Sequence, residues 1–176
     1  MTDIRTLGVI GAGQMGIGIA QVSAQAGYDV ILSDIDLPRA EKGKANIAKL
    51  LARAVDKEKM TQSEADAVLA RITPVGELAP LAGAQFVIEA ATEREEVKRA
   101  IFGNVGKLLG KDAILATNTS SIPITRLAQA APDAERFIGV HFFNPVPVMV
   151  LVEIIRGLAT TPEVVEAVEA YATRIG

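Results

Sequence analysis

Apolar residues recur along this chain in short bursts that alternate between two periods. The first, TLGVI at Thr6 to Ile10, is continuous, as a strand buried on both faces requires, and it breaks at the glycine-rich GAGQMG. Beyond it Met15, Ile19, Val22 and Ala26 keep helical spacing and predict a helix over 14–27. YDVILSD (28–34) predicts a second strand, which completes a β-α-β unit.

From Pro38 to Arg71 two helical patterns flank KEKMTQSE (57–64), where Thr61 and Glu64 have the spacing of a capping box for the second helix. This excursion is longer than an ordinary crossover and predicts a helical hairpin projecting from the sheet. AQFVIEAA (84–91) reads as a buried strand, EREEVKRAIFGNVGKLL (93–109) as an amphipathic helix, and AILATNT (113–119) as another strand. ERFIGVHFF (135–143) and VMVLVEII (148–155) predict two more strands, and Thr161 with Pro162 starts a helix that runs to the C-terminus. Strands alternating with helices predict an α/β domain over 1–176, with a mostly parallel sheet covered on both faces and a hairpin insertion at about 38–71.

The totals narrow the chemistry. The 176 residues suit one domain with a substantial core, and 49% hydrophobic with 22% charged residues are globular proportions. With no cysteine and one histidine, disulfides are excluded and the usual transition-metal sites lack ligands. No apolar run approaches a membrane span, and the glycine motif begins too early for a signal-peptide core, so the expectation is a cytoplasmic protein without a membrane partner. A net charge of −3 argues against nucleic acid as a partner. Residues 39–59 depart from that balance, with seven Lys/Arg and three Asp/Glu.

Gly11, Gly13 and Gly16 spell G-x-G-x-x-G between a predicted strand and a predicted helix, and Asp34 closes the next strand 18 residues after Gly16. Gly11 permits the tight turn, Gly13 lets the backbone approach a pyrophosphate, Gly16 allows close packing, and the helix N-terminus attracts the phosphates. Asp34 would accept hydrogen bonds from the adenosine ribose and repel a 2′-phosphate, which points to NAD and a Rossmann-type, doubly wound sheet. Asp36 stands close enough to compete for that role.

In such sheets ligands bind beyond the carboxyl ends of the strands. There the chain carries Glu93, Asn118 to Ser121 (NTSS), His141 and Asn144. Removing a hydroxyl proton as hydride leaves carbon suits an imidazole near neutral pH. A carboxylate on its other nitrogen would fix the tautomer. Glu153 is the candidate, because its strand is apolar on both sides and a buried glutamate needs a partner. Whether the two meet is open at this point.

VIGAGQMGIGIAQ, VIEAATE, TNTSS and GVHFFNPVPVM followed by LVEII resemble, in order and spacing, the 3-hydroxyacyl-CoA dehydrogenases, including the bacterial 3-hydroxybutyryl-CoA enzymes. The resemblance covers nearly the whole chain. It implies oxidation of a (3S)-3-hydroxyacyl-CoA by NAD, or the reverse reduction of acetoacetyl-CoA. It implies His141 as the base, Glu153 as its partner, Ser120 on the substrate's 3-oxygen and Asn144 shaping the same pocket. Asp34 matches the adenine-ribose ligand and Glu93 a residue beside the nicotinamide ribose; Gln14, Met15, Lys98 and Asn118 match positions near the cofactor. Lys57, in the basic hairpin, matches approach to the phosphates of coenzyme A. The acyl-CoA substrate and a homodimer in the full-length family form follow as partners.

Each role has a simpler rival. Ser120 or Ser121 can cap the turn near IPITRLAQ, Glu93 can favour a helix start through its dipole, Asn144 before Pro145 is a common turn pair, and Lys98 lies in a solvated-looking run. Two departures from the family also stand out. Val150 replaces a usual lysine, and the chain ends at Gly176, where the family continues into a helical domain that dimerises and closes over the acyl-CoA. The expectation is an excised cofactor-binding domain or a short relative that binds NAD, turns over poorly and self-associates through exposed apolar surface. A non-catalytic nucleotide-binding module and another hydroxyacid dehydrogenase with a lysine base are the alternatives.

Overall fold

A computed structural model describes residues 2–176. Seven strands form one sheet in the order β3-β2-β1-β4-β5-β6-β7. They are β1 (Thr6–Ile10), β2 (Asp29–Ser33), β3 (Ile72–Val75), β4 (Phe86–Glu89), β5 (Ile114–Thr117), β6 (Phe137–Phe142) and β7 (Val152–Arg156). The first six are parallel, and β7 runs antiparallel to β6. Strand order reverses between β1 and β4, the place where a doubly wound sheet opens a crevice.

The helices are α1 (Gln14–Gln25), α2 (Leu37–Asp56), α3 (Gln62–Ala70), α4 (Glu95–Gly106), α5 (Ile124–Ala128) and α6 (Pro162–Ile175). Two apolar clusters cover the two faces of the sheet. One joins Val9, Ile88 and Val140 to Ile19, Val164 and Val168 of α1 and α6; the other joins Val87, Leu115 and Phe137 to Phe102, Val105 and Leu127 of α4 and α5. The hairpin enters the first cluster through Ile47 and Leu51 of α2 and Ala65 and Val68 of α3. Asp36 caps α2 by accepting the Arg39 N–H, and both arms of the Thr61–Glu64 capping box form. No helix among the described residues is long and apolar enough to cross a membrane.

Two segments differ from the sequence reading. β3 was not foreseen: ITPV follows α3 directly and holds Pro74, which a sheet tolerates only at its edge, where β3 lies. The last strand begins at Val152 rather than 148; Val148, Met149, Val150 and Leu151 instead form an exposed loop, because β6 and β7 pair only from Phe142↔Val152 onward.

Candidate active site

The glycine fingerprint divides its tasks by geometry. Gly11 has φ +106°, a conformation open to glycine, and its N–H donates to Ser33 O at 2.8 Å, tying the turn to β2. A Cβ on Gly16 would run into the Gly11 carbonyl, so that residue fixes how closely α1 folds against the turn. A Cβ on Gly13 would meet nothing within 4 Å. The backbone there faces open space. Gly13 is also the N-cap of α1, with no side-chain cap and no acidic residue in the first turn, so the first N–H groups and the positive end of the helix dipole remain available to an anion.

Two cavities meet at that loop. One, of about 570 Å³, is lined by Gly11, Gly13, Asp34, Arg39, Leu78 and Ile101 among others; the second, of about 290 Å³, is lined by Gly13, Gln14, Met15, Glu93, Lys98 and Asn118 together with Ala90, Ala91 and Thr92. They share Gly13 and residues 90–92. Asp34 Oδ2 accepts the Ala12 N–H at 2.8 Å and Oδ1 the Ile35 N–H at 2.7 Å, which fixes the carboxylate with lone pairs still free toward the cavity. Asp36 is committed to capping α2 and lines neither cavity. These residues fit a dinucleotide: adenosine beside Asp34, pyrophosphate over Gly13 and the α1 N-terminus, and the second ribose with its base beside Met15, Glu93 and Asn118.

Below the second cavity lies a group of which the sequence reading singled out Lys98 alone. Lys98 is only 1% exposed and Glu89 0%. Lys98 Nζ donates to Glu89 Oε1 at 2.6 Å, Thr117 Oγ1 donates to the same oxygen at 2.7 Å, and the Ala91 N–H donates to Oε2 at 2.8 Å. Lys98 is therefore not on a solvated face: its position turns inward on α4. The signal was present, since Glu89 ends an apolar strand and a buried carboxylate needs a cation or donors.

Glu93 does not cap α4, whose N-cap is Arg94. Its Oε2 accepts from Thr119 Oγ1 at 3.0 Å and Ser121 Oγ at 3.3 Å, linking the loop after β4 to the turn after β5. Thr119 braces that turn, accepting the Ile122 N–H at 3.2 Å. Asn118 Oδ1 accepts the Phe142 N–H at 2.8 Å, which ties the cavity wall to the strand carrying the histidine. At the start of α4, the Arg99 hydrogen bond, then Arg126, hold the Glu95 carboxyl below its ordinary range, while the backbone and Arg94 do the same for Glu96.

His141 and Glu153 face each other directly across the β6–β7 ladder. His141 Nδ1 lies 3.4 Å from Glu153 Oε1, and the imidazole centroid 4.6 Å from that of Phe143. Glu153 is not buried, as the sequence argument assumed: its side chain is 51% exposed because β7 is an edge strand. The pair meets through register. Ser120 and Asn144 are exposed in the loops after β5 and β6, and Lys57 is exposed at the C-cap of α2; none of the three lines either cavity. Val150 is 83% exposed.

Comparison with known proteins shows the family and the fold. The profile of the family described as "3-hydroxyacyl-CoA dehydrogenase, NAD binding domain" matches residues 6–176. A 3-hydroxybutyryl-CoA dehydrogenase of Bradyrhizobium diazoefficiens is 50% identical over 173 residues, 98% of this chain and 59% of that protein. A 3-hydroxyadipyl-CoA dehydrogenase of Escherichia coli is 45% identical over 166 residues, 94% of this chain and 35% of that protein. The crystal structure of (S)-3-hydroxybutyryl-CoA dehydrogenase from Ralstonia eutropha superposes with a TM-score of 0.97 at 46% identity, covering 99% of this chain and 62% of that one. The chain thus spans about three fifths of the length of the 3-hydroxybutyryl-CoA dehydrogenases it matches.

Proposed function

This chain belongs to the 3-hydroxyacyl-CoA dehydrogenase family, as its NAD binding domain, and from that premise we propose that it serves the NAD-dependent oxidation of a (3S)-3-hydroxyacyl-CoA to the 3-oxoacyl-CoA, and the reverse reduction. The observation that carries the reading is the cross-strand pair His141 and Glu153, set by register at the carboxyl end of the parallel sheet.

NAD, when bound, supplies the hydride acceptor. The chain's residues hold it and handle the proton. Gly13 and the α1 N-terminus would take the pyrophosphate, Asp34 the adenosine ribose, and the cavity at Met15, Glu93 and Asn118 the other half. With Nδ1–H donated to Glu153, the imidazole presents Nε2 as an acceptor, and it can take the substrate hydroxyl proton there and return it in the reverse direction. Glu153 keeps the tautomer and stabilises the imidazolium as it forms. Ser120 would hydrogen-bond the 3-oxygen, Asn144 would border the acyl group, and Lys57 would meet a coenzyme A phosphate. The full-length form acts as a homodimer in this reading.

The test is disappearance of NADH with acetoacetyl-CoA, run beside NADH binding, for the native chain, His141→Ala and Glu153→Gln. The expected result is slow turnover that falls by roughly 10²–10⁴ in His141→Ala, the usual worth of a positioned acid or base, with NADH affinity unchanged. Turnover that persists in His141→Ala would refute the assignment. NADH binding with no turnover in the native chain would leave this chain a cofactor-binding unit alone.

A further inference from the structure

Glu89, Lys98 and Thr117 take no part in the proton chemistry proposed above, yet they form the most deeply buried polar group bordering the dinucleotide cavities. Removing two charges from water costs several kcal/mol per ion, and a site that needed only packing would be at least as stable with apolar residues, such as the Ile88, Ala116 and Phe102 that are buried on the same elements. Their arrangement points to a task. Glu89 Oε1 accepts from both Lys98 Nζ and Thr117 Oγ1, and Oε2 accepts the Ala91 N–H, so one carboxylate fastens β4, α4 and β5 together beneath the cavity.

An ammonium has three N–H donors. On Lys98 one goes to Glu89 at 2.6 Å and one lies 3.4 Å from Thr117 Oγ1, whose own hydrogen is directed to Glu89. Glu93 Oε1, at 3.8 Å, is beyond hydrogen-bond reach. The third donor belongs to a side chain that lines the cavity with Gly13, Gln14, Met15 and Asn118. Asp34 lines the neighbouring cavity, and Gly13 stands between them, so the half of the dinucleotide remote from adenosine lies against Lys98.

We propose that Glu89 and Thr117 are positioning residues for the cofactor: they hold the Lys98 ammonium at the cavity wall so that its remaining N–H is presented to an oxygen acceptor on the ribose-nicotinamide half of NAD. This rests on the cofactor reading above. It says nothing of the acyl substrate and is independent of His141.

The experiment compares NADH with ADP, which lacks the ribose-nicotinamide half, by titration into the native chain, Glu89→Gln and Thr117→Val, each with a thermal melt. The expected result is NADH bound about tenfold more weakly by Glu89→Gln and about threefold more weakly by Thr117→Val, with ADP affinity within about twofold of native in both. NADH affinity that is unchanged or tighter in both variants overturns the proposal. So does an equal loss for NADH and ADP, which would mean general loosening of the fold. If Glu89→Gln fails to fold, Thr117→Val decides alone, because it removes one hydroxyl and leaves the ion pair in place. A native chain that binds neither ligand would instead refute the cofactor reading itself.

Discussion

Two glycines five and two residues past Gly11 offer a separation of folding from binding. Gly13→Ala places a methyl group where nothing lies within 4 Å, at φ −79° and ψ −169°, a backbone conformation that alanine adopts freely. Alanine is a poorer N-cap than glycine by about 0.5 kcal/mol, but it stiffens the unfolded chain by about 0.4–1 kcal/mol, so the two effects offset each other. The melting temperature should move by no more than about 2 °C. Binding should suffer, because the methyl group stands in the open space over Gly13 where the proposed cofactor pose would bring the pyrophosphate to the backbone. Losing or lengthening one hydrogen bond to a charged group costs about 1.5–3 kcal/mol, roughly ten- to a hundredfold in affinity. Gly16→Ala is the contrast: its Cβ collides with the Gly11 carbonyl, an overlap with backbone that no side-chain rotation relieves. Even after the helix propensity that alanine gains, the net cost should be about 1–3 kcal/mol, or ~2–12 °C. Differential scanning calorimetry and NADH fluorescence titration read the two quantities. A Gly13→Ala protein that binds NADH like the native chain, or melts as early as Gly16→Ala, would refute the division of labour in the loop.

Asp34→Ser should weaken NADH by about tenfold and raise NADPH affinity, because it removes the repelling charge from a cavity that Arg39 also lines; adding Arg39→Ala should abolish the NADPH gain, as fluorescence titration would show. Tyr171→Phe loses the hydrogen bond to Ser23 Oγ at 2.8 Å, while Ser23 keeps its own to Ile19 O; a cost of about 1 kcal/mol, ~2–4 °C, is expected by calorimetry. That difference should stay flat up to the ordinary phenol value of 10.0 and shrink above it. Burial pushes the folded phenol far above that value while the unfolded phenol ionises there, which destabilises only the native chain. Glu95, held by Arg99 and Arg126, has a folded-state carboxyl below its ordinary 4.5, so its stabilisation is present above that value and lost as pH falls through the depressed one. Glu95→Gln should therefore lower the melting temperature at neutral pH and match the native chain in acid; a gap that widens in acid would contradict this.

Much of the architecture was readable because local signals agreed. Continuous apolar runs marked β1, β4 and β5, the glycine fingerprint marked the first turn, and Thr61 with Glu64 marked the start of α3. β3 was hidden because four residues with a central proline have too little periodicity, and only the neighbouring β2 makes ITPV a strand. VMVL looked like a strand because its residues are apolar, whereas pairing with β6 sets where β7 begins. In the site, the residue types at the strand ends were legible, but which glutamate is buried was not. The burial argument belonged to Glu89, whose partner sits nine residues on along α4, while Glu153 reaches His141 from a half-exposed edge. Burial depends on what covers a strand. That is decided by elements far away in the chain.

The antiparallel closure of the sheet has a consequence for how this chain can vary. In the β6–β7 ladder Gly139↔Ile155 and His141↔Glu153 share one face, while Val140↔Ile154 and Phe142↔Val152 turn to the core. Side chains alternate with a period of two, so the ladder has only two phases. An insertion or deletion in the loop 143–151 is silent if the loop absorbs it. A slip of one residue puts Val152 or Ile154 opposite the imidazole, rotates Glu153 to the other side, and turns apolar side chains outward in the same movement. Loss of the His141–Glu153 pair and loss of core packing are thus a single event. A length variant of this loop should either keep both or lose both, which gives the segment freedom in composition and almost none in phase.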